Sequence, residues 1–414
     1  MADPVFELIK QEEQRQRETL MMIPSENYAY LEVREAMGSV LGNKYAEGYP
    51  GKRYYQGNKI VDQIEQLAIE RAKELFGVPH ANVQPYSGSP ANTAVYFALM
   101  KPGETLMGLE LSHGGHLTHG HSKVTFSGRY FCSVPYQIDT NLSKYFDFEK
   151  IKKQVLEVKP RVIIVGTTAF PRLLPWQEFA QIADAVSAYL VSDISHIAGL
   201  VAGGTHPSPV PYVDIVTTTT HKTLRGPRGA MIMVTKKGLV KDPELGKKID
   251  KAVFPGLQGG PHLNTIAGIA VCLEKAKQPE FKKYARQIVA NAQTLAKELI
   301  NYDFELVTGG TDNHLLLIDL RNKKIEGKVA AVALEEAGIV VNANSIPNDP
   351  NPPFKPSGIR LGTPAITSMG MKETEMKKTA AWIKEALENV DNLDKLHQIA
   401  QKVKEFCASF PLQV

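Results

Sequence analysis

A lysine stands where a strand-forming run stops, in Thr217-Thr218-Thr219-Thr220-His221-Lys222-Thr223-Leu224-Arg225-Gly226-Pro227-Arg228-Gly229. The threonines extend Asp214-Ile215-Val216 as β-branched, extended backbone, and Gly226-Pro227 with Gly229 ends it before the apolar run Ala230 to Val234. A lysine at such a strand end points into a cleft and is a candidate reactive amine; an ordinary lysine in a polar loop is the alternative. Upstream, the apolar run from Tyr189 ends in Asp193, with His196 three residues on. A carboxylate at the end of a buried strand needs a cationic partner. Pyridoxal phosphate chemistry supplies one, because an aspartate faces the protonated ring nitrogen while a lysine holds the aldehyde as a Schiff base. Strand-end aspartates also serve magnesium and ribose. A phosphate site is the third requirement. Tyr86-Ser87-Gly88-Ser89-Pro90-Ala91-Asn92 leads into the apolar run Thr93 to Met100 and reads as a small-residue turn opening a helix with Pro90 in its first turn. Its free N–H groups and helix dipole would bind an anion, although a plain capping loop looks similar.

His113, His116, His119 and His121 crowd one loop as metal ligands might, but the glycines among them and the lack of a cysteine argue against tetrahedral zinc, and no metal is expected. Arg360 lies between Gly358 and Gly362 in a strand-like segment. It could clamp a carboxylate bidentately or form a surface ion pair.

The elements that must carry these groups alternate. Strand-like runs over 105–108, 161–166, 190–193, 214–220 and 230–235 are interleaved with helical patterns such as 60–76 and 179–188, which predicts an α/β fold with a mostly parallel, helix-covered sheet. Asp3 and Pro4 open a first helix, and a second begins near Leu31. The tyrosine-rich segment 43–57 is too long and too charged for a linker. Beyond residue 275 the pattern becomes α+β, with strands at 314–320, 339–341 and 358–361 and a helix at 328–337, so 1–275 is read as the large domain and 276–414 as a smaller one. The 48 basic and 44 acidic residues balance too closely for a nucleic-acid binder. Cys132, Cys272 and Cys407 have no metal or redox spacing. No apolar leader or bilayer-length segment is present, which leads to the expectation of a cytoplasmic, membrane-free protein.

Several stretches together resemble the serine hydroxymethyltransferase family nearly end to end: Asn43 to Tyr55, Ser112 to Gly120, His196 to Val201, the threonine-lysine block, Phe254 to Pro261 and Thr308 to His314. The resemblance implies an aspartate-aminotransferase-like, fold type I pyridoxal phosphate transferase of bacterial type, with a seven-stranded sheet carrying helices on both faces. It implies reversible conversion of L-serine and tetrahydrofolate to glycine and 5,10-methylenetetrahydrofolate, through a pyridoxal phosphate aldimine on Lys222. Catalytic roles fall on Lys222, Glu47, His116, Asp193, His196 and Tyr55. Cofactor contacts add Tyr45, Ser87, Gly88, Ser89, Thr168, His221 and Gly260. Substrate contacts are Ser25, Glu47, Tyr55, His196 and Arg360; folate contacts are Glu47, Tyr54, Leu117, Gly120 and Asn344. It also implies a homodimer with active sites shared between subunits, possibly a tetramer. Departures from the family pattern are Tyr86 for histidine, Thr168-Ala169-Phe170 for Ser-Ala-Tyr, Ser195 for alanine, Gln56-Gly57-Asn58-Lys59 for Gly-Gly-Cys-Glu, and Ala343 for lysine. A folate-independent aldolase or transaldolase acting on 3-hydroxy amino acids is the alternative enzyme.

Overall fold

The computed structural model describes residues 3–121 and 124–412, which form two compact units. Residues 29–168 and 173–285 make the larger. It is built on seven strands, β1 (His80–Asn82), β2 (Thr105–Leu109), β3 (Cys132–Tyr136), β4 (Val162–Gly166), β5 (Tyr189–Asp193), β6 (Ile215–Thr219) and β7 (Ala230–Val234), in the spatial order β1-β7-β6-β5-β4-β2-β3. β7 runs antiparallel to both neighbours and the other pairings are parallel.

Every residue of β4 to β7 is buried, so both faces of the pleat are covered, as parallel strands between helix layers require. On one face, Ala91, Val95 and Leu99 of helix Gly88–Leu99, with Leu245 and Ile249 of helix Leu245–Lys251, pack on Leu106, Ile164, Val191, Ile215 and Ile232. The alternate residues Ile163, Val165, Leu190, Val216 and Met231 turn to the other face and are equally buried. β3 is the half-exposed edge, the position that tolerates its Pro135. Because β5 and β6 are parallel and Asp193 pairs in register with Thr217, Asp193 and the segment leading to Lys222 leave the sheet at the same rim.

The other unit comprises residues 3–28, 169–172 and 286–412. Its antiparallel sheet has the order β8-β9-β11-β10, where β8 is Glu305–Leu306, β9 Leu315–Asp319, β10 Asn342–Asn344 and β11 Gly358–Gly362. Leu316, Ile318, Ile359 and Leu361 share a core with Leu334, Ile383 and Ile399 from three helices. The amino-terminal helix Pro4–Glu18 starts as expected, with Asp3 Oδ1 accepting the Val5 N–H at 3.0 Å. Leu20-Met21 then pairs in parallel with Ile339-Val340, so the latter segment adds to the chain's start and not to the antiparallel sheet.

Candidate active site

Asp193, at the end of β5, is the most heavily bonded carboxylate of the larger unit's rim. Its Oδ1 accepts from Ser195 N at 3.0 Å and Ser195 Oγ at 2.6 Å, and its Oδ2 from Asn92 Nδ2 at 2.8 Å and His119 Nε2 at 3.1 Å. Burial resists the charge, yet the hydrogen bonds from His119 and Ser195 outweigh it and hold the carboxyl well below the usual carboxylate range. The directions of these bonds follow from the next partners outward. The Ser195 hydroxyl already accepts from Thr219 N at 3.0 Å, and His119 Nδ1 accepts from His116 N at 3.4 Å, which leaves the proton for Asp193 on Nε2. Gly166 makes the approach of His119 feasible: a Cβ there would stand 2.5 Å from Asp193 O and 3.1 Å from His119 Cε1. Asn92 extends the network, since its Nδ2 also reaches Thr118 Oγ1 at 2.9 Å, and that hydroxyl lies 2.8 Å from His116 Nδ1.

Asp193, Ser195, Thr219 and His119 help wall a cavity of about 240 Å³ that gathers Lys222, His116, His196, His221 and Thr168 around the turn Ser87-Gly88-Ser89. Ser87 is the amino-terminal cap of helix Gly88–Leu99 and bonds none of its first-turn amides through its side chain, so the turn has the form of an anion cradle. A Cβ on Gly88 would sit 2.8 Å from Thr219 Cγ2, so the turn can approach β6 this closely only with a glycine there. The turn that carries Lys222 is closed by Gly226 N to Thr220 O at 2.8 Å and by Thr220 Oγ1 to Pro227 O at 2.6 Å. Arg225 stacks its guanidinium 4.2 Å over the Tyr30 ring. His221 is pushed down to about 3 by burial and by the charges of Lys222 and Arg228, and its Nδ1 has no hydrogen-bond partner among the described residues. A larger surface hollow, about 520 Å³, lies beside Pro50, Asp62, Gln66 and Leu67 and contains no lysine or histidine.

Tyr45, Glu47, Tyr55 and Gly260 do not line the cavity; they form a second cluster. Tyr45 Oη donates to Glu47 Oε1 at 3.2 Å, its ring meets Tyr55 edge-on at 5.0 Å, and a Cβ on Gly260 would lie 3.1 Å from it. The negative charge of Glu47 raises the Tyr45 phenol. Tyr45, Tyr54 and Tyr55 are all exposed. Tyr86 ties this cluster to the phosphate turn: its hydroxyl donates to Gly260 O at 2.8 Å and its ring stacks on His262 at 4.0 Å. Leu117 is exposed, whereas Gly120 is buried with φ +94°. Ser25, Asn344 and Arg360 belong to the other unit. There Gly362 N donates to Met22 O at 2.7 Å, seating the segment before Ser25 alongside β11, and burial brings the Arg360 guanidinium down to about 10.

The serine hydroxymethyltransferase family profile matches residues 1–383. The chain is 56% identical over 410 residues to a serine hydroxymethyltransferase of Desulfotalea psychrophila, spanning 99% of this chain and 94% of the relative. Corresponding proteins of Acidothermus cellulolyticus and Legionella pneumophila are 55% and 52% identical, with 99% of this chain covered and 95% and 97% of the relatives. The chain belongs to the serine hydroxymethyltransferase family.

The mostly parallel seven-stranded sheet is accordingly that of a fold type I pyridoxal phosphate transferase. The cavity suits the cofactor on its own terms: an ionised carboxylate, a lysine, a helix start at Ser87 with no side-chain cap and a buried histidine nitrogen with no partner among the described residues meet in one place. Sequence reading had singled out nine of the residues in the wall, Ser87, Gly88, Ser89, His116, Thr168, Asp193, His196, His221 and Lys222. It had not assigned Ser195, Thr219 or Arg228 to the site, and it had weighed His119 only as a metal ligand. Among the described residues no group of three His, Cys, Asp or Glu side chains could hold a metal. His113 Nδ1 instead faces Ile138 O at 3.1 Å. No helix among the described residues is long and apolar enough to cross a membrane.

Proposed function

We propose that this serine hydroxymethyltransferase carries out its reaction in the Lys222 cavity, with residues of a second subunit completing the site. The reaction is the reversible conversion of L-serine and tetrahydrofolate to glycine and 5,10-methylenetetrahydrofolate. The observation that carries the assignment is the buried, fourfold-bonded Asp193 in the same cavity as Lys222. Bound pyridoxal phosphate supplies an aldehyde that a lysine amine can hold and a protonated ring that withdraws electrons from the substrate Cα.

The chain's own residues then divide the work. Lys222 would hold the aldehyde through its Nζ, and Asp193, ionised by its donors, would face the ring nitrogen and favour its protonated form. Ser87, Ser89 and the first amides of helix Gly88–Leu99 would receive the phosphate, with Tyr45 and Gly260 contributed by the neighbouring subunit. His116 would cover the ring, and Thr168, His196 and His221, which line the same cavity, would border it. Arg360, assisted by Ser25, receives the substrate carboxylate. Glu47 gives and takes the proton at the hydroxymethyl oxygen, with Tyr55 beside the substrate. Tyr54, Leu117, Gly120 and Asn344 receive the folate.

Subunit sharing is supported by the separation of the two clusters. Glu47, Tyr55 and Gly260 each lie against Tyr45, all four are outside the cavity wall, and the three tyrosines at 45, 54 and 55 are exposed on a single chain. The function is tested by measuring glycine formed from L-serine with and without tetrahydrofolate, alongside borohydride reduction and peptide mapping. Folate-stimulated glycine formation with the reduced label on Lys222 is expected. Equal turnover without folate, or a label on another lysine, would overturn the assignment.

A further inference from the structure

We propose that Asn342 is the positioning residue for Arg360, fixing the plane in which its guanidinium receives the substrate carboxylate. The inference rests on the reading of Arg360 as the carboxylate clamp. Asn342 and Arg360 are register partners across the antiparallel pair β10 and β11, so their side chains are nearest neighbours on one face. Arg360 Nε donates to Asn342 Oδ1 at 3.1 Å. The orientation of the amide is settled from its other end, because Asn342 Nδ2 donates to Ala343 O at 2.9 Å. A flipped amide would set N–H against Nε–H and oxygen against the carbonyl, so both partners select the same rotamer. On the opposite side of β11, the register partner of Arg360 is the buried Leu317, which offers no acceptor. Within this sheet, Asn342 is the neighbour that holds Nε.

The residue type matters as much as the contact. A neutral amide oxygen binds Nε without cancelling the charge that a carboxylate substrate needs, and it leaves the fork's planar geometry intact. Aspartate at the same position would be nearly isosteric but would pair with the guanidinium as an ion and compete with the substrate. Alanine would remove the Nε acceptor and with it this constraint on the guanidinium's plane.

The test compares glycine with glycinamide, which keeps the amine and lacks the carboxylate, by titrating each into the holoenzyme and following the visible band of the cofactor. In Asn342→Ala, glycine affinity is expected to fall about tenfold, the loss of one hydrogen bond to a charged group, with glycinamide affinity unchanged. In Asn342→Asp, glycine affinity falls at least as far while glycinamide is spared. Asparagine to aspartate is also the safeguard should the alanine variant fold poorly by circular dichroism. Equal weakening of both ligands, or no change in their ratio, would overturn the positioning role. Arg360→Lys separates the two levels: if it changes the glycine to glycinamide ratio and the Asn342 variants do not, only the present inference fails, and if it does not, the clamp reading itself is wrong.

Discussion

Ser195→Ala probes the carboxylate network most directly, because this hydroxyl has a partner on each side. It donates to Asp193 Oδ1 at 2.6 Å and accepts from Thr219 N at 3.0 Å, and all three residues are buried. Removing it leaves the Thr219 amide unpaired, which costs about 1–3 kcal/mol, and takes one donor from an ion that keeps the Ser195 amide, Asn92 and His119. A loss of about 2 kcal/mol or more is expected, a fall in melting temperature of at least about 4 °C for a unit of this size. The pH dependence has a definite sign. Asp193 has a depressed folded value, so its contribution is present above the unfolded carboxyl value of about 3.9 and is lost as pH falls through the folded one. Losing one donor raises the folded value toward the unfolded one, while the other three keep it in the acid range. The gap between wild type and variant should therefore be flat from pH 5 to 8 and narrow only in stronger acid. Thermal melts of the cofactor-free protein across that range are the assay. A variant melting within about 1 °C of wild type, or a gap that grows on acidification, would refute the fourfold-donor account.

Two further outcomes follow from the same site. Mixing Lys222→Ala with Glu47→Ala and refolding them together should restore about a quarter of wild-type activity, since half the dimers are hybrid and each hybrid has one intact site of two; hybrids that form and stay inactive would place Glu47 and Lys222 in one chain's site. His221 is pushed down to about 3 by burial, Lys222 and Arg228, below its unfolded value near 6.5. Its contribution to stability is therefore complete above about pH 6.5 and is lost toward pH 3 at up to about 1.4 kcal/mol per unit. His221→Gln should flatten this part of the melting profile of the cofactor-free protein, and an unchanged slope would show that another group carries it.

The central strands were legible because burial on both faces writes itself as short apolar runs, and β2 and β4 to β7 lie within a residue or two of where those runs predicted them. β1 and β3 left no such mark. His80-Ala81-Asn82 is only three residues and largely polar, and the edge strand β3 exposes Cys132 and includes Pro135. The pairing of Leu20-Met21 with Ile339-Val340 is two residues long and joins distant parts of the chain, so no local pattern signals it. The same limit applies in the site. Lys222, Asp193 and the Ser87 turn stand out because each ends or begins an element. Half of the bonds that make Asp193 an ion come from the neighbouring Ser195, but the other two donors are found only in space: His119 lies 74 residues away along the chain and Asn92 lies 101. His119 carried a signal, but its crowding with other histidines suggested a metal, whereas its proton is directed to a carboxylate.

The parallel register of β5 with β6 has a consequence for how such an enzyme can change over time. Asp193 pairs with Thr217 through the sheet's own ladder, so the spacing between the electron-withdrawing end of the site and the strand that delivers Lys222 is set by backbone bonds that side-chain drift does not touch. Tyr45, Glu47 and Tyr55, by contrast, flank the short antiparallel pair Gly48-Tyr49 and Lys52-Arg53, and Tyr45 meets Glu47 and Tyr55 through side chains. On the proposed assignment the folate meets this segment at Tyr54, where substitution can change how the one-carbon acceptor is held while the spacing between Asp193 and Thr217 stays as it was. The fixed spacing and the variable acceptor contact thus lie in physically different parts of one chain.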